Sequence, residues 1–374
     1  MSEHVSASVA DGVGHVTLVR PRALNALSFE MIRELTAVFE AWRRDPEVSL
    51  VVLDGEGERG FCAGGDIREL YSYSTGGHVS EALRFFRTEY RLNAAIARYP
   101  KPVVAIMDGI TMGGGIGIAG HASIRVVTER SRIAMPETRI GFTPDVGGTW
   151  LLGRAPGELG VHLALNSRTM DAADAIHADF ADVMVPSERL PHLVQALEER
   201  ADPGTPAEIV MLFDETPEPS ALAEARPWVD ACYSAPTVRG IIDRLRALAD
   251  GRPGAAGSGT GDGVAPPPRA GESARAAAAA AADELEVLSP TALTVTLEAI
   301  RRARALPRLE DALEQEFRAV SWFIGQHDLH EGIRAQVIDK DRSPAWDPPT
   351  LAEVPDGLAA RVLDEQRYDP VWGD

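Results

Sequence analysis

The chain has 374 residues, of which 45% are hydrophobic, and a formal net charge of −19. A chain of this length and composition can bury a sizeable core, which indicates one large globular domain with an appendage, or two domains. Its negative field excludes nucleic acid and anionic membrane surfaces as expected partners, so any anionic ligand must be held by local contacts.

The N-terminal segment alternates apolar and polar residues on both sides of Asp11 and Gly12, which predicts a β-hairpin. The segment lacks the basic start and apolar run of a secretory signal. No apolar stretch in the sequence approaches membrane-spanning length. We therefore expect a cytoplasmic protein.

The next predicted element is a helix that begins after an N-cap at Ser28. Short apolar runs predict strands at 49–57, 103–109, 123–129 and 132–135, the first of them stopped by glycines. A helical pattern occupies residues 81–99, and the pattern over 147–197 is mostly helical. The apolar stripe of the first helix consists of Ile32, Leu35, Phe39 and Trp42. Repeated strand-strand-helix units with short links predict a mixed α/β fold around a buried sheet.

The C-terminal half has a different composition. Residues 251–283 are rich in Gly, Pro, Ser and Ala, and they cannot bury enough apolar surface to order themselves before the alanine run. The following segment, 285–323, is helical in pattern, with a helix start at Ser289 and a break at Pro307. We expect a catalytic core over 1–200, a helical connector over 201–250, a flexible insertion over 251–283, and a helical part with a polar tail over 284–374.

Two glycine clusters, GFCAGGDI and TMGGGIGIAG, lie at predicted junctions between a strand and a helix. Glycine there lets the backbone approach a ligand and leaves uncapped N–H groups pointing outward. Two such N–H groups that converge on one carbonyl oxygen form an oxyanion hole. For either cluster alone, tight turns and close helix packing are an equally good explanation. A dinucleotide site is disfavoured, because no acidic residue follows at the distance of a ribose contact.

Several long motifs together resemble the enoyl-CoA hydratase/isomerase (crotonase) superfamily. They are NALS, GFCAGGDIREL, KPVVAIMDGITMGGGIGIAGHA and AMPETRIGFTPDVGGTWLL. FFRTEYRLN and the C-terminal HDLHEGIRAQVIDKDRSPAW are more narrowly similar to the 3-hydroxyisobutyryl-CoA hydrolase subgroup. The resemblance covers nearly the whole chain apart from the insertion and the tail. It implies a crotonase-like α/β spiral with a helical C-terminal part that packs back over the active site.

The resemblance also assigns roles to five residues. Gly65 and Gly114 match the positions whose backbone N–H groups form the oxyanion hole. Glu137 matches the catalytic acid/base of the superfamily, and Asp145 matches the second acid of the hydrolase subgroup. Glu89 matches a residue that lines the acyl pocket. With Gly114, Glu137 and Asp145 it completes the expected substrate-binding set.

The implied reaction is hydrolysis of a short, branched 3-hydroxyacyl-CoA, best matched by 3-hydroxyisobutyryl-CoA, in valine catabolism. Glu137 acts either as a nucleophile that forms a mixed anhydride or as a general base for water. Asp145 binds the substrate hydroxyl, raises the pKa of Glu137 or orients water, and a helix N-cap is its structural alternative. The resemblance implies no metal or redox cofactor, CoA as part of the substrate, and a trimer or hexamer as the assembly.

Two rival functions remain open. Enoyl-CoA hydratases carry a second catalytic glutamate where this chain has Gly117, so hydration or isomerisation would lack one of its two acids. A non-catalytic acyl-CoA-binding protein is the rival of another class, and both Glu137 and Asp145 argue against it. His121 and Cys62 are interpreted as packed residues, and the sequence HDLHE, residues 327–331, departs from the H-E-x-x-H order of a metal site.

Overall fold

The fold is that of a computed structural model, in which residues 3–200, 205–252 and 271–373 are described. The strands are Val5–Ala10 (β1), Val13–Leu18 (β2), Leu50–Gly55 (β3), Val103–Met107 (β4), Ile110–Met112 (β5), Ile124–Val127 (β6), Arg132–Ala134 (β7) and Val183–Met184 (β8). The N-terminal helices are Phe29–Arg43 (α1), Ile67–Thr75 (α2), Val79–Ala97 (α3), Gly114–Ala119 (α4), Gly148–Arg154 (α5), Leu159–Leu165 (α6), Ala172–His177 (α7) and Leu190–Glu198 (α8). The later helices are Pro206–Met211 (α9), Ala221–Tyr233 (α10), Val238–Ala249 (α11), Glu272–Glu286 (α12), Pro290–Ala303 (α13), Leu309–Phe323 (α14), His327–Ile333 (α15) and Leu358–Asp364 (α16). Short 3₁₀ turns lie at Pro21–Ala23, Glu137–Ile140 and Ser187–Arg189, and a π-helical turn lies at Arg334–Ile338.

A six-stranded sheet in the order β1-β2-β3-β4-β6-β8 forms the centre of the molecule. Its first pair is antiparallel and the other pairs are parallel. Because successive side chains of a strand point to opposite faces, Val51 and Leu53 join the large helical core, whereas Leu50 and Val52 face a smaller cluster under α8 and α9. Strands that are buried on both faces need continuous apolar runs, which is the pattern of SLVVLDGEG.

The N-terminal elements confirm the sequence predictions. Asp11 and Gly12 both have positive φ, 47° and 82°, as a two-residue hairpin turn requires. The Ser28 hydroxyl accepts a hydrogen bond from Met31 N at 3.3 Å and caps α1. The predicted apolar stripe of α1 is buried in the core.

Three strand-strand-helix units, β1-β2-α1, β4-β5-α4 and β6-β7-α5, follow one another along the chain. Between them, β3 leads through the first glycine cluster into α2 and α3. The strands β5 and β7 pair in parallel as a second small sheet. The predicted mixed α/β fold of repeated strand-strand-helix units is confirmed, and each glycine cluster lies at the end of a strand and before a helix.

The C-terminal helices pack against the N-terminal units of the same chain. Helix α13 contacts α5 and α6, and α14 contacts α3 and α5. Helix α15 and the π-helical turn contact α2 and the 3₁₀ turn Glu137–Ile140. Within the described ranges, no helix is both long enough and apolar enough to cross a membrane.

The predicted flexible insertion over 251–283 falls mostly outside the described residues. Its alanine run, however, lies within helix α12, which packs against α11. Ala278 and Ala282 are fully buried there, because small side chains let two helices approach closely. Residues 272–283 therefore differ from the prediction of a flexible segment. The connector predicted over 201–250 contains the helices α9, α10 and α11.

Candidate active site

The two glycine clusters lie side by side. Cys62 and Thr111 form a parallel β-bridge that joins the segments preceding them. A Cβ added at Gly114 would lie 3.2 Å from the backbone nitrogen of Gly65. A Cβ added at Gly64 would lie 3.4 Å from the backbone nitrogen of Gly114. The N–H groups of Gly65 and Gly114 are therefore neighbours.

Both N–H groups are available to a ligand. Gly114 is the first residue of α4, where an N–H group has no acceptor within its own helix. Leu27 N donates to Gly64 O, and Asp66 N donates to Leu27 O. The Gly65 N–H group lies between these two hydrogen bonds and takes part in neither. Among the residues that the structure describes, neither N–H has a protein acceptor. Two neighbouring backbone N–H groups without acceptors are what an oxyanion hole requires.

Glu137 reaches this glycine segment from the 3₁₀ turn that it begins. Its Oε1 lies beside Gly113, since a Cβ added there would come within 3.0 Å of this oxygen. Gly113 has φ +48°, a conformation that residues with side chains rarely adopt. The Glu137 side chain is 7% exposed, and its Oε2 has no hydrogen-bond partner in the described part of the chain.

Glu89 and Asp145 bring two further carboxylates to the same place. Glu89, on α3, has its Oε1 only 2.5 Å from the position of a Cβ added at Gly114, so a larger residue there would displace the carboxylate. That Oε1 has no hydrogen-bond partner among the described atoms. Asp145, in the loop before α5, accepts a hydrogen bond from the Tyr90 hydroxyl on its Oδ2 at 2.9 Å.

The five residues predicted for the site, Gly65, Glu89, Gly114, Glu137 and Asp145, all line one cavity of about 150 Å³. Asp66 and Glu69 also line the cavity, and apart from the acids and the glycine backbone most of its wall is apolar. Its main apolar side chains are Phe85, Phe86, Met112, Ile140, Phe142 and Val146.

Burial shifts the acids of this cavity toward their protonated forms. It raises the pKa of Glu89 and of Glu137 well above the usual range, and the nearby Asp145 carboxylate raises both further. Burial raises the pKa of Asp145 to about 7, although the hydrogen bond from Tyr90 lowers it. A carboxyl group with a pKa nearer neutrality exchanges protons more readily at physiological pH, which suits acid/base chemistry.

A fourth buried acid, Glu316 of α14, was missed by the sequence analysis. Its Oε2 accepts a hydrogen bond from Gly147 N at 2.7 Å, and its Oε1 accepts from Thr149 N at 2.8 Å and from the Thr149 hydroxyl at 2.5 Å. Burial raises the pKa of Glu316 to about 8, although these hydrogen bonds lower it. Its signal in the sequence is its position three residues after Leu313 and beside Phe317, where a charge interrupts an apolar stripe.

Gly117, at the position where hydratases carry a second glutamate, is closely surrounded by Val146 and Asn93. A Cβ added at Gly117 would lie 2.7 Å from Val146 Cβ and 2.9 Å from Asn93 Nδ2. Asn93 is fully buried, and neither of its amide atoms has a hydrogen-bond partner in the described ranges. A side chain at position 117 would therefore collide with Val146 and Asn93 before it reached the cavity.

The residues that the sequence analysis interpreted as structural have structural partners. The His121 ring donates a hydrogen bond to Val146 O at 2.9 Å, and burial lowers its pKa to about 4. Cys62 is fully buried, and burial raises its pKa to about 12. Asp328 accepts hydrogen bonds from Ser289 Oγ and Asp347 N.

The other polar residues of 327–331 are also committed to protein partners. The rings of His327 and His330 donate to backbone carbonyl oxygens, and Glu331 forms an ion pair with Arg334 at 2.8 Å. Within residues 3–200, 205–252 and 271–373, no group of three His, Cys, Asp or Glu side chains is placed to hold a metal ion. These contacts instead hold the C-terminal segment together.

Comparison with known families and curated proteins gives related matches. A sequence profile of the family described as "Enoyl-CoA hydratase/isomerase" matches residues 13–363. A Danio rerio protein is 36% identical over 94% of this chain and 86% of its own length. A human protein is also 36% identical, over 91% of this chain and 83% of its own length. Both relatives are named "3-hydroxyisobutyryl-CoA hydrolase, mitochondrial".

Two solved structures match the whole fold but carry other names. A carnitinyl-CoA dehydratase from Mycobacterium thermoresistibile is 43% identical, with a TM-score of 0.86 and 98% coverage of both chains. An enoyl-CoA hydratase from Rhodobacter sphaeroides 2.4.1 is 40% identical, with a TM-score of 0.83 and 97% coverage of both chains. The names of the relatives therefore divide between hydrolysis and hydration or dehydration.

Proposed function

Since the chain belongs to the enoyl-CoA hydratase/isomerase family, we propose that it hydrolyses the thioester of a short, branched 3-hydroxyacyl-CoA. The observation that carries this proposal is the packing at Gly117, which leaves no room for the second acid of a hydratase while Glu137 still faces the cavity. The names of the curated relatives support 3-hydroxyisobutyryl-CoA as the substrate, which would place the enzyme in valine catabolism.

The first requirement of the reaction is a polarised thioester carbonyl. The Gly65 and Gly114 N–H groups would donate to its oxygen, which becomes negatively charged when the carbonyl carbon is attacked. Donors that are already in place stabilise this charge without reorganising, and the loss of one such donor typically costs roughly 2.7 to 4 kcal/mol of transition-state stabilisation.

Glu137 is suited to act on the carbonyl carbon, because its Oε2 is unpaired and its carboxylate lies beside Gly113. As a nucleophile, it would form a mixed anhydride while the C–S bond breaks and CoA leaves as the thiolate. Water would then open the anhydride, release the free acid and restore the carboxylate. As a general base, Glu137 would instead take a proton from the attacking water. Acid quench during turnover and intact-mass measurement separate the two routes, because only the first gives an acylated protein.

Glu89 supports a substrate that carries a hydroxyl group. Its Oε1 is buried, unpaired and next to Gly114, within a mostly apolar cavity. A buried acceptor without a partner is costly, and a substrate hydroxyl that donates to it would remove this cost. A site that is built to bind a hydroxyl rejects analogues that lack it. We therefore expect isobutyryl-CoA to be a poorer substrate than 3-hydroxyisobutyryl-CoA.

Hydration or dehydration is the second candidate, because the two solved relatives at 40% and 43% identity bear those names. In that reaction one group must move a proton at carbon while another handles the water oxygen. Glu137 could serve as one of these groups, and Asp145 lies in the same cavity to serve as the other. The candidate therefore depends on Asp145 taking over the work of the missing glutamate.

The test is to incubate the purified protein with 3-hydroxyisobutyryl-CoA, isobutyryl-CoA and crotonyl-CoA in parallel. Thiol release is followed with a disulfide reagent, and loss of the crotonyl double bond is followed by its absorbance. Thiol release from the hydroxylated substrate, with no loss of crotonyl absorbance, is the expected result. Loss of absorbance without thiol would assign the protein to hydration and refute the hydrolase proposal.

Glu137→Gln separates an enzyme from a binding protein. The substitution keeps the size of the side chain but removes its charge. We expect turnover to fall by about 10³-fold or more while binding of CoA esters persists. Thiol release that is equal in both proteins would exclude Glu137 from the chemistry. Binding without turnover in the wild-type protein would identify a non-catalytic acyl-CoA-binding module.

A further inference from the structure

We propose that Glu316 is a positioning residue for Asp145: it fixes the loop 145–149 so that the Asp145 carboxylate stays in the cavity. The kinetic part of this proposal rests on the hydrolase function proposed above. The contact itself does not, because it is a property of the fold and can be measured without substrate. Glu316 does not line the cavity, so it would act through the loop rather than on the substrate.

The loop after Asp145 has a strained backbone. Val146 has φ +54°, in the left-handed region that β-branched residues rarely adopt. Such a conformation costs on the order of 1 to 3 kcal/mol and persists only where surrounding contacts hold it. Local contacts include the hydrogen bond from Gly148 N to Asp145 O at 2.6 Å and the one from His121 to Val146 O. The strain would relax if the following residues were free to move.

Glu316 holds those following residues. Its two oxygens accept from the Gly147 N–H, the Thr149 N–H and the Thr149 hydroxyl. All three donors lie at the start of α5, where the backbone N–H groups have no acceptor within their own helix. Glu316 is 1% exposed, so water does not compete for the three donors. The backbone two residues after Asp145 is thereby fixed to α14.

The neighbouring residue of α14 fixes the Asp145 side chain. Phe317 packs edge-on against Tyr90, with ring centroids 6.2 Å apart and an angle of 81°. The Tyr90 hydroxyl donates to Asp145 Oδ2. Two consecutive residues of α14 therefore restrain Asp145 from two sides, Glu316 through the main chain and Phe317 through the hydrogen-bond donor.

Glu316 caps the start of α5 and also interacts electrostatically with the acids of the cavity. Glu316 is buried close enough to Glu137 for its negative charge to raise the pKa of that residue. When Glu316 is ionised, it adds like-charge repulsion to a site that already holds Glu89, Glu137 and Asp145. Glu316 therefore couples the shape of the loop to the protonation of the site.

The first experiment compares kinetics of Glu316→Gln and of wild-type protein with 3-hydroxyisobutyryl-CoA. Glutamine offers one acceptor oxygen and turns an N–H₂ group toward a backbone donor, so the loop loses part of its restraint. We expect kcat to fall by at least about 30-fold with KM changed less than about threefold, because the ground-state contacts of the substrate remain. A kcat within twofold of wild type would overturn the proposal.

Asp174→Asn is the matched control. Asp174 is a buried acid on α7 that also accepts hydrogen bonds from a distant segment, from Ser220 Oγ at 2.7 Å and Leu222 N at 2.9 Å. It does not line the cavity. We expect this variant to lose stability while its kcat stays within twofold of wild type. An equal loss of kcat in both variants would mean that Glu316 contributes only to general stability.

A double-mutant cycle tests whether Glu316 acts through Asp145. In the Asp145→Asn background, Glu316→Gln should reduce kcat by less than about threefold, since the group that it positions is already gone. If the double variant loses kcat by the product of the two single-variant factors, Glu316 acts independently of Asp145. That result would overturn the positioning role.

Hydrogen exchange tests the contact without turnover. The amides of Gly147 and Thr149 should exchange at least about tenfold faster in Glu316→Gln than in the wild-type protein. If Glu316→Gln fails to fold, the Thr149 hydroxyl is varied instead: Thr149→Val removes this donor and Thr149→Ser retains it. We expect faster amide exchange in Thr149→Val than in Thr149→Ser. Unchanged exchange would overturn the proposal, whereas faster exchange in a protein that releases no thiol would refute the hydrolase function alone.

Discussion

Glu137, Glu89 and Asp145 share a small, mostly apolar space in a protein that carries 56 acidic residues. These three are buried, and burial raises the pKa of each. The reactivity that we propose for Glu137 therefore depends on its surroundings rather than on its residue type.

The raised pKa of Glu137 predicts a pH profile. Both proposed routes need Glu137 as a carboxylate, so kcat/KM should fall as pH decreases, and it should do so above the ordinary glutamate range near 4.3. We expect the acid limb of the profile nearer neutrality. Measurement of kcat/KM for thiol release between pH 4.5 and 9 checks this, with light-scattering controls for unfolding. A limb at the ordinary glutamate pKa would contradict the burial argument.

The packing at Gly117 predicts that a hydratase cannot be made by restoring the glutamate alone. In Gly117→Glu the new Cβ would lie within 3 Å of Val146 and Asn93. We expect a lower melting temperature and no gain of crotonyl-CoA hydration. The matched variant is Gly117→Glu combined with Val146→Gly, which removes the Val146 Cβ that would lie 2.7 Å from the new side chain. Hydration by the single variant would show that the neighbouring residues yield easily and would weaken the case against a hydratase.

Single residues were predicted unevenly from the sequence. Gly65, Glu89, Gly114, Glu137 and Asp145 were named through family motifs, and the structure places all five around one cavity. Their chemical roles remain proposals. Glu316 was not named, because its partners lie about 169 residues earlier in the chain and no local pattern relates them. Tertiary hydrogen bonds of this kind are invisible to periodicity.

At the scale of elements, the two glycine clusters respond differently to substitution: Gly114 begins α4, and Gly65 precedes α2. Alanine at 114 would place its Cβ 2.5 Å from Glu89 Oε1, whereas alanine at 65 would place it 3.4 Å from the Phe85 ring. Both variants keep their backbone N–H groups. We expect Gly114→Ala to lose at least about 100-fold in kcat/KM and Gly65→Ala less than about tenfold. Equal losses would mean that space at Gly114 is not the reason for glycine there.

Strands and helices with strong patterns were predictable, and their docking was not. The hairpin, the Ser28 cap and the start of α13 at Ser289 follow from local rules, and the structure confirms each. The pattern over 285–323 indicated only that this segment would be helical. Which partner covers a stripe depends on the shapes of both surfaces, so the contact of α14 with α3 and α5 came from the structure alone.

At the scale of the whole molecule, the buried acids predict that stability falls as pH rises. Asp145 has a pKa raised from 3.8 to about 7, and Glu316 from 4.5 to about 8. Between the unfolded and folded values, the native state binds more protons than the unfolded state, so the free energy of unfolding decreases with pH. We expect a melting temperature a few degrees lower at pH 8.5 than at pH 6.5, measured by calorimetry.

Glu137→Gln is the control for that prediction. It removes one acid of raised pKa, so the melting temperature should depend less on pH and should be higher than that of the wild-type protein at pH 8.5. A variant that is more stable and inactive is the expected combination for a site whose groups are held in unfavourable surroundings. A wild-type melting temperature that rises with pH over this range would show that the acids are not protonated as burial implies.

The distance along the chain between Asp145 and Glu316 also affects synthesis on the ribosome. Glu316 follows Gly147 by 169 residues, so at about 5 to 20 residues per second it is made roughly 10 to 30 seconds later. During that interval the nascent chain has the glycine clusters, Glu89, Glu137 and Asp145, but neither Glu316 nor Phe317. If Glu316 positions Asp145 as proposed, full thioesterase activity would be reached only after α14 leaves the exit tunnel. A chain released early, before residue 309, would carry every predicted site residue but would lack Glu316 and Phe317, the two α14 residues that restrain Asp145.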